Sequence, residues 1–142
     1  MIDIVERRRF KRYPVYCPMQ YKREGAMPSD SSMSVNMCEG GALLTMPRAV
    51  ETGENLIVRL FMKGKEFFVR SKVVHVQRLQ ERDPYSVGVE FMEKAPEFLM
   101  RFYEELEGIM FFQKRYSEEL GKEVSLTEAS MKWYRSSPIW SR

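Results

Sequence analysis

Residues 55–79, "NLIVRLFMKGKEFFVRSKVVHVQRL", hold two long runs of β-branched and aromatic side chains separated only by Lys63-Gly64-Lys65. Such side chains fit a pleated, half-buried surface, and a short glycine-centred connection joins neighbouring antiparallel strands. The chain is therefore committed to an antiparallel sheet, and the flanking segments have to extend it.

They carry the right pattern. "VYCPMQY" at 15–21 favours an extended segment, in which Pro18 calls for an edge or a bulge. Residues 24–34, "EGAMPSDSSMS", are polar and turn-forming, and "VNMCEGGALLTM" reads as strand, glycine turn, strand. After Arg82-Asp83-Pro84, "YSVGVEFM" alternates Val87, Val89 and Phe91 with Gly88 and Glu90. Six or so sequential short strands predict a mainly β fold, a small antiparallel β-barrel.

The period changes at Pro96. Phe98, Leu99, Phe102, Tyr103, Leu106, Ile109 and Met110 recur at spacings of three and four, which predicts a helix over 96–116 with one apolar face. Its simplest role is to cover an open end of the barrel. Beyond Gly121 a second, shorter helix is expected, with Ser125 or Thr127 as cap before "EASMKWY" and Pro138 past its end. The expected organisation is an arginine-rich flexible arm at 1–14, barrel plus helix at 15–116, and a partly helical tail at 117–142.

Composition limits the function classes. With 23 basic and 20 acidic residues the net charge is only +3, so positive charge matters locally rather than globally, which disfavours nucleic acid as a partner. No run approaches the ~20 apolar residues of a membrane span, and no signal-peptide hydrophobic stretch follows the basic N-terminus; cytoplasmic residence is the expectation. Cys17 and Cys38 read as reduced thiols, and neither lies in a metal-ligand motif. His75 is the lone histidine and reads as a barrel-wall side chain. With no nucleophile–base pair, P-loop or metal spacing, the chain reads as a non-enzyme without a cofactor.

Two local features remain. "ERRRFKRYP" at 6–14 concentrates Arg7, Arg8, Arg9, Lys11 and Arg12. Guanidinium groups match phosphate oxygens and the O6/N7 edge of guanine, although a solvated basic arm has the same composition. "NMCEGG" at 36–41 joins a side-chain amide to paired glycines. Asn36 can accept from guanine N1–H or N2–H, and glycine allows close backbone approach; an ordinary hairpin using Gly40 and Gly41 for positive φ is the alternative.

In this order, Arg8-Arg9-Phe10-Lys11-Arg12 and Asn36-Met37-Cys38-Glu39-Gly40-Gly41 resemble the RxxxR and (D/N)xSxxG motifs of the PilZ domain family. "SVGVEFM" at 86–92 and the following helix are similar too, so the resemblance runs over about residues 6–116. It implies a six-stranded antiparallel PilZ-type β-barrel and a bacterial, cytoplasmic receptor for cyclic di-GMP. By position, Arg8 and Arg12 are implied to hold phosphate and the guanine Hoogsteen edge, Asn36 to read the base, and Gly40 and Gly41 to leave it room. Arg7, directly before the first motif, goes in this family with a stacked ligand dimer. Cys38 departs from the usual serine; a thiol is the weaker hydrogen-bonding group.

Output is expected through an unidentified effector protein or through self-association, using the helix and the aromatic tail with Trp133, Tyr134, Ile139 and Trp140. Such aromatics find either an intramolecular groove or a partner. The alternative function is a PilZ-like interaction module that no longer binds nucleotide, with a small nucleic-acid-binding barrel as a third reading.

Overall fold

The computed structural model describes residues 11–23, 30–62 and 64–135. Six strands run β1 (Cys17–Arg23), β2 (Asp30–Cys38), β3 (Gly41–Met46), β4 (Asn55–Met62), β5 (Lys65–Gln77) and β6 (Tyr85–Phe91). They are followed by α1 (Pro96–Leu120) and α2 (Leu126–Arg135). Every neighbouring pair is antiparallel, and the ring closes in the order β1-β2-β3-β6-β5-β4. The mainly β barrel with a packed helix and a short helical tail is thus observed.

Two-residue periodicity sorts the side chains. Met19, Leu44, Met46, Leu56, Val58, Leu60, Val73 and Val87 are all buried in the same core cluster. Their alternates face outward, as a closed barrel requires. Residues 30–34 belong to β2 and pair with β1, whereas their Ser- and Asp-rich composition reads as turn. Ladder pairing with β1 outweighs local propensity there.

Two bulges help the sheet curl. One falls between Ser34 and Asn36 and the other between Val73 and His75. A bulge shifts the inward–outward parity of everything beyond it. In β5 Val69, Ser71 and Val73 are buried, yet past the bulge His75 and Gln77 are exposed and Val76 packs against the core.

α1 covers the core with Phe98, Phe102, Leu106 and Ile109. Phe98 meets Phe67 and Phe91 edge-on, each at 5.6 Å between centroids. The buried stripe is narrower than the sequence pattern, because Tyr103 and Met110 face outward. The helix starts with Pro96 in its first turn and ends on Gly121 in the left-handed conformation (φ 68°). α2 opens on the expected cap: Ser125 Oγ accepts from Glu128 N–H at 3.0 Å and donates to its carboxylate.

The tail aromatics take the intramolecular alternative as far as Tyr134. The Trp133 indole lies against Gly108 of α1, where an added Cβ would be 3.1 Å from the ring, and its N–H donates to Glu105 at 3.1 Å. Tyr134 is in the core cluster. Ile139, Trp140 and Pro138 lie outside the described residues.

Candidate functional site

The outer face of β2, β3, β6 and β5 forms an open groove of about 580 Å³, within the ~300–1,000 Å³ range of small-molecule sites. Strand register arranges its floor in rows. Asn36 pairs with Leu43, Leu43 with Gly88, and Gly88 with His75. At ~4.8 Å per strand this row is about 14 Å across. The next row runs Cys38, Gly41, Glu90, Lys72.

The two floor glycines have different reasons. A Cβ on Gly41 would stand 2.1 Å from the Val89 carbonyl oxygen and 3.3 Å from Glu90 Cα, so β3 seats against β6 only with glycine there. Its φ is not left-handed; the positive-φ glycines are at other turns, such as Gly53 and Gly64. The hairpin explanation by positive φ therefore does not apply to Gly41. The missing side chain is used by the neighbouring strand. Gly40 sits in the turn between β2 and β3 and accepts from Phe91 N–H at 2.9 Å. Gly88 is open by contrast: a Cβ there meets only the side chains of His75, at 3.3 Å, and Val74. Its absence leaves a depression in the centre of the groove.

Among the described residues of the basic arm, 11–14, a bridge at Tyr13 joins the chain to this groove. Tyr13 N–H donates to the Met37 carbonyl and Met37 N–H to the Tyr13 carbonyl, both at 2.9 Å. Tyr13 then packs inward against the core and meets Phe102 edge-on at 6.5 Å. Alternation turns its neighbour outward, and the same antiparallel register sets Arg12 beside Cys38 at the groove rim. Lys94 lines the rim as well. Arg12 and Lys94 offer positive charge around an acidic Glu90, with the His75 ring beside them, a set suited to an anion that also carries hydrogen-bond donors.

The turn is also tied to α1. The Tyr103 hydroxyl is raised above its ordinary pKa by partial burial first and by its hydrogen bond to Glu39 second. At the start of β1, burial pushes the Cys17 thiol up to about 12, with the Tyr134 hydroxyl pulling it down and Glu105 adding to the rise. Burial likewise holds Tyr134 well above its usual value, with Cys17 and Glu105 contributing. Cys17 is a buried thiol away from the groove, whereas Cys38 is half-buried on it; both are free.

Of the residues singled out from sequence, the fold brings Arg12, Asn36, Cys38, Gly40 and Gly41 together around one groove. Arg7 and Arg8 lie outside the described residues. His75 faces the groove rather than serving only the wall. Arg78 does not line it; its guanidinium stacks on Tyr85 at 4.3 Å. The sequence reading missed Leu43, Gln77 and Ser86, and gave Gly88 no role. Among the described residues, no group of three or more His, Cys, Asp or Glu side chains could hold a metal ion.

The description of one domain family, "PilZ domain", matches residues 6–106. The chain belongs to the PilZ family. Solved structures agree on the PilZ fold. The PilZ domain of Escherichia coli YcgR with c-di-GMP superposes with a TM-score of 0.58 at 12% identity, covering 82% of this chain and 98% of that one. The K. pneumonia MrkH–c-di-GMP complex gives 0.60 at 16% identity over 77% of this chain and 54% of that one. The Bacillus subtilis inhibitor of motility MotI/DgrA gives 0.56 at 16% identity over 66% and 46%. The chain thus spans about half the length of MotI and MrkH. No curated protein matches it in sequence.

Proposed function

We propose that this PilZ protein is a cytoplasmic, non-enzymatic receptor for cyclic di-GMP that signals through a partner protein. The observation that carries the reading is the Tyr13–Met37 bridge, because it sets Arg12 of the first motif against Asn36 and Cys38 of the second across one groove. Arg12 and Arg8 hold the phosphates and the guanine Hoogsteen edge, and Asn36 accepts from the Watson–Crick edge. Gly88 admits the base. Arg7 adds charge for a second, stacked ligand, giving two nucleotides per chain. YcgR and MrkH, both solved with c-di-GMP, support the choice of ligand.

Binding draws the arm over the groove and so shifts the Tyr13–Phe102 and Glu39–Tyr103 contacts with α1. The outer face of α1 exposes Met100, Met110 and Phe111, and is the surface offered to an effector or to a second copy. Calorimetric titration with cyclic di-GMP, with GMP and cyclic di-AMP as controls, tests the reading. Heat is expected with the first ligand alone, at about two ligands per chain, and affinity falls about ten- to a hundredfold in Arg12→Ala. Absence of heat removes the receptor assignment, and one ligand per chain removes the stacked pair. Cys38 in the serine position favours a second reading, a PilZ interaction module without ligand; the same titration decides between them.

A further inference from the structure

Between Tyr13 and Cys17 the chain leaves the ladder that would pair its backbone, and polar groups there require other partners. The C-terminal helix supplies them across more than a hundred residues of sequence. Thr127 Oγ1 donates to the Pro14 carbonyl at 2.9 Å, and Tyr16 N–H donates to Ser130 Oγ at 2.9 Å. Ser130 is fully buried and gives its own proton to the Thr127 carbonyl at 2.7 Å, which leaves its lone pairs for Tyr16. α2 is itself held by the Ser125 N-cap, by buried Ala129 and by Trp133 on Gly108.

We propose that Thr127 and Ser130 are positioning residues of the nucleotide site. They touch no ligand. They fix residues 14–16 so that Tyr13 meets Met37 and Arg12 stands at the rim, and α2 thereby sets how well the arm is organised before the ligand arrives. α2 lies beyond residues 6–106, so this device belongs to the extension of the PilZ domain rather than to the part matched by the family. Coupling is reciprocal: a partner that moves α2 changes nucleotide affinity, and nucleotide changes the affinity for that partner.

The affinity part of this proposal rests on the cyclic di-GMP reading; the positioning part does not. Backbone amide exchange is measured first, on ligand-free Thr127→Val and Ser130→Ala. The Tyr13 and Met37 amides lose protection about tenfold while the β4 amides keep theirs. Unchanged Tyr13 and Met37 exchange in both variants overturns the proposal. Calorimetry follows: Ser130→Ala weakens cyclic di-GMP binding about three- to tenfold, and the loss is smaller when Arg12 is already alanine. Equal losses in both backgrounds mean that Ser130 supplies general stability only, and overturn the positioning role. If the unmodified protein gives no heat with cyclic di-GMP, the receptor reading fails, while the exchange result still decides the placement of the arm.

Discussion

Gly41→Ala separates what the second motif does for the barrel from what it does for a ligand. The new Cβ would be 2.1 Å from the Val89 carbonyl oxygen and 3.2 Å from its carbon, both backbone atoms that cannot swing aside. A relaxed carbon–oxygen contact is ~3.3 Å, so β3 and β6 must part by about 1 Å at this point. Over-packing of that kind costs ~1–3 kcal/mol, and each ladder hydrogen bond lost beside Gly41 and Glu90 adds ~1 kcal/mol. The expected loss is about 2–4 kcal/mol, a fall of roughly 5–15 °C in Tm for a chain of this size. Thermal and urea unfolding of ligand-free protein, followed by circular dichroism, measures it. A Tm within about 2 °C of the unmodified protein would refute the steric argument and return Gly41 to the ligand.

Other substitutions act elsewhere in the same frame. Gly88→Val puts a Cβ 3.3 Å from His75 Cβ, so the neighbouring strand must give slightly and stability falls by about 1 kcal/mol, while the filled groove floor weakens cyclic di-GMP binding by about tenfold or more in calorimetry; unchanged affinity would place the ligand elsewhere. Cys38→Ser restores a hydroxyl beside Arg12 and tightens binding by up to about tenfold, whereas weaker binding would show that the thiol is preferred. Cys17 stays protonated to about 12 in the fold against 9.0 in the open chain, so its stabilisation is complete below pH 9 and declines as pH climbs towards 12. The decline approaches ~1.4 kcal/mol per pH unit, and Cys17→Ala should flatten it in urea titrations above pH 9; identical slopes would contradict the burial argument.

The barrel was legible because inward residues such as Leu56, Val58 and Leu60 repeat with the period of a strand, and the hairpin at Gly64 is marked by its glycine. The groove was legible only in part. Asn36, Cys38 and Gly41 belong to a local motif, but His75 and Gln77 reach the groove through a bulge at Val74, and no residue type announces a parity change. Gly88 looks in sequence like one polar-side position of an alternating strand; its meaning comes from Leu43 and His75 on the two neighbouring strands. The docking of α2 on Pro14 and Tyr16 joins distant parts of the chain, and threonine and serine at 127 and 130 fit any amphipathic helix.

The central claim is that cyclic di-GMP occupies the outer face of β2, β3, β6 and β5, clamped by the arm. Amide chemical-shift mapping of labelled protein during a cyclic di-GMP titration tests this most directly. The largest changes are predicted at Arg12, Asn36, Cys38, Leu43, His75 and Gly88, with the Phe68–Arg70 surface of β5 unaffected. Changes centred on Phe68 and Arg70, or none at saturating ligand, would contradict the account.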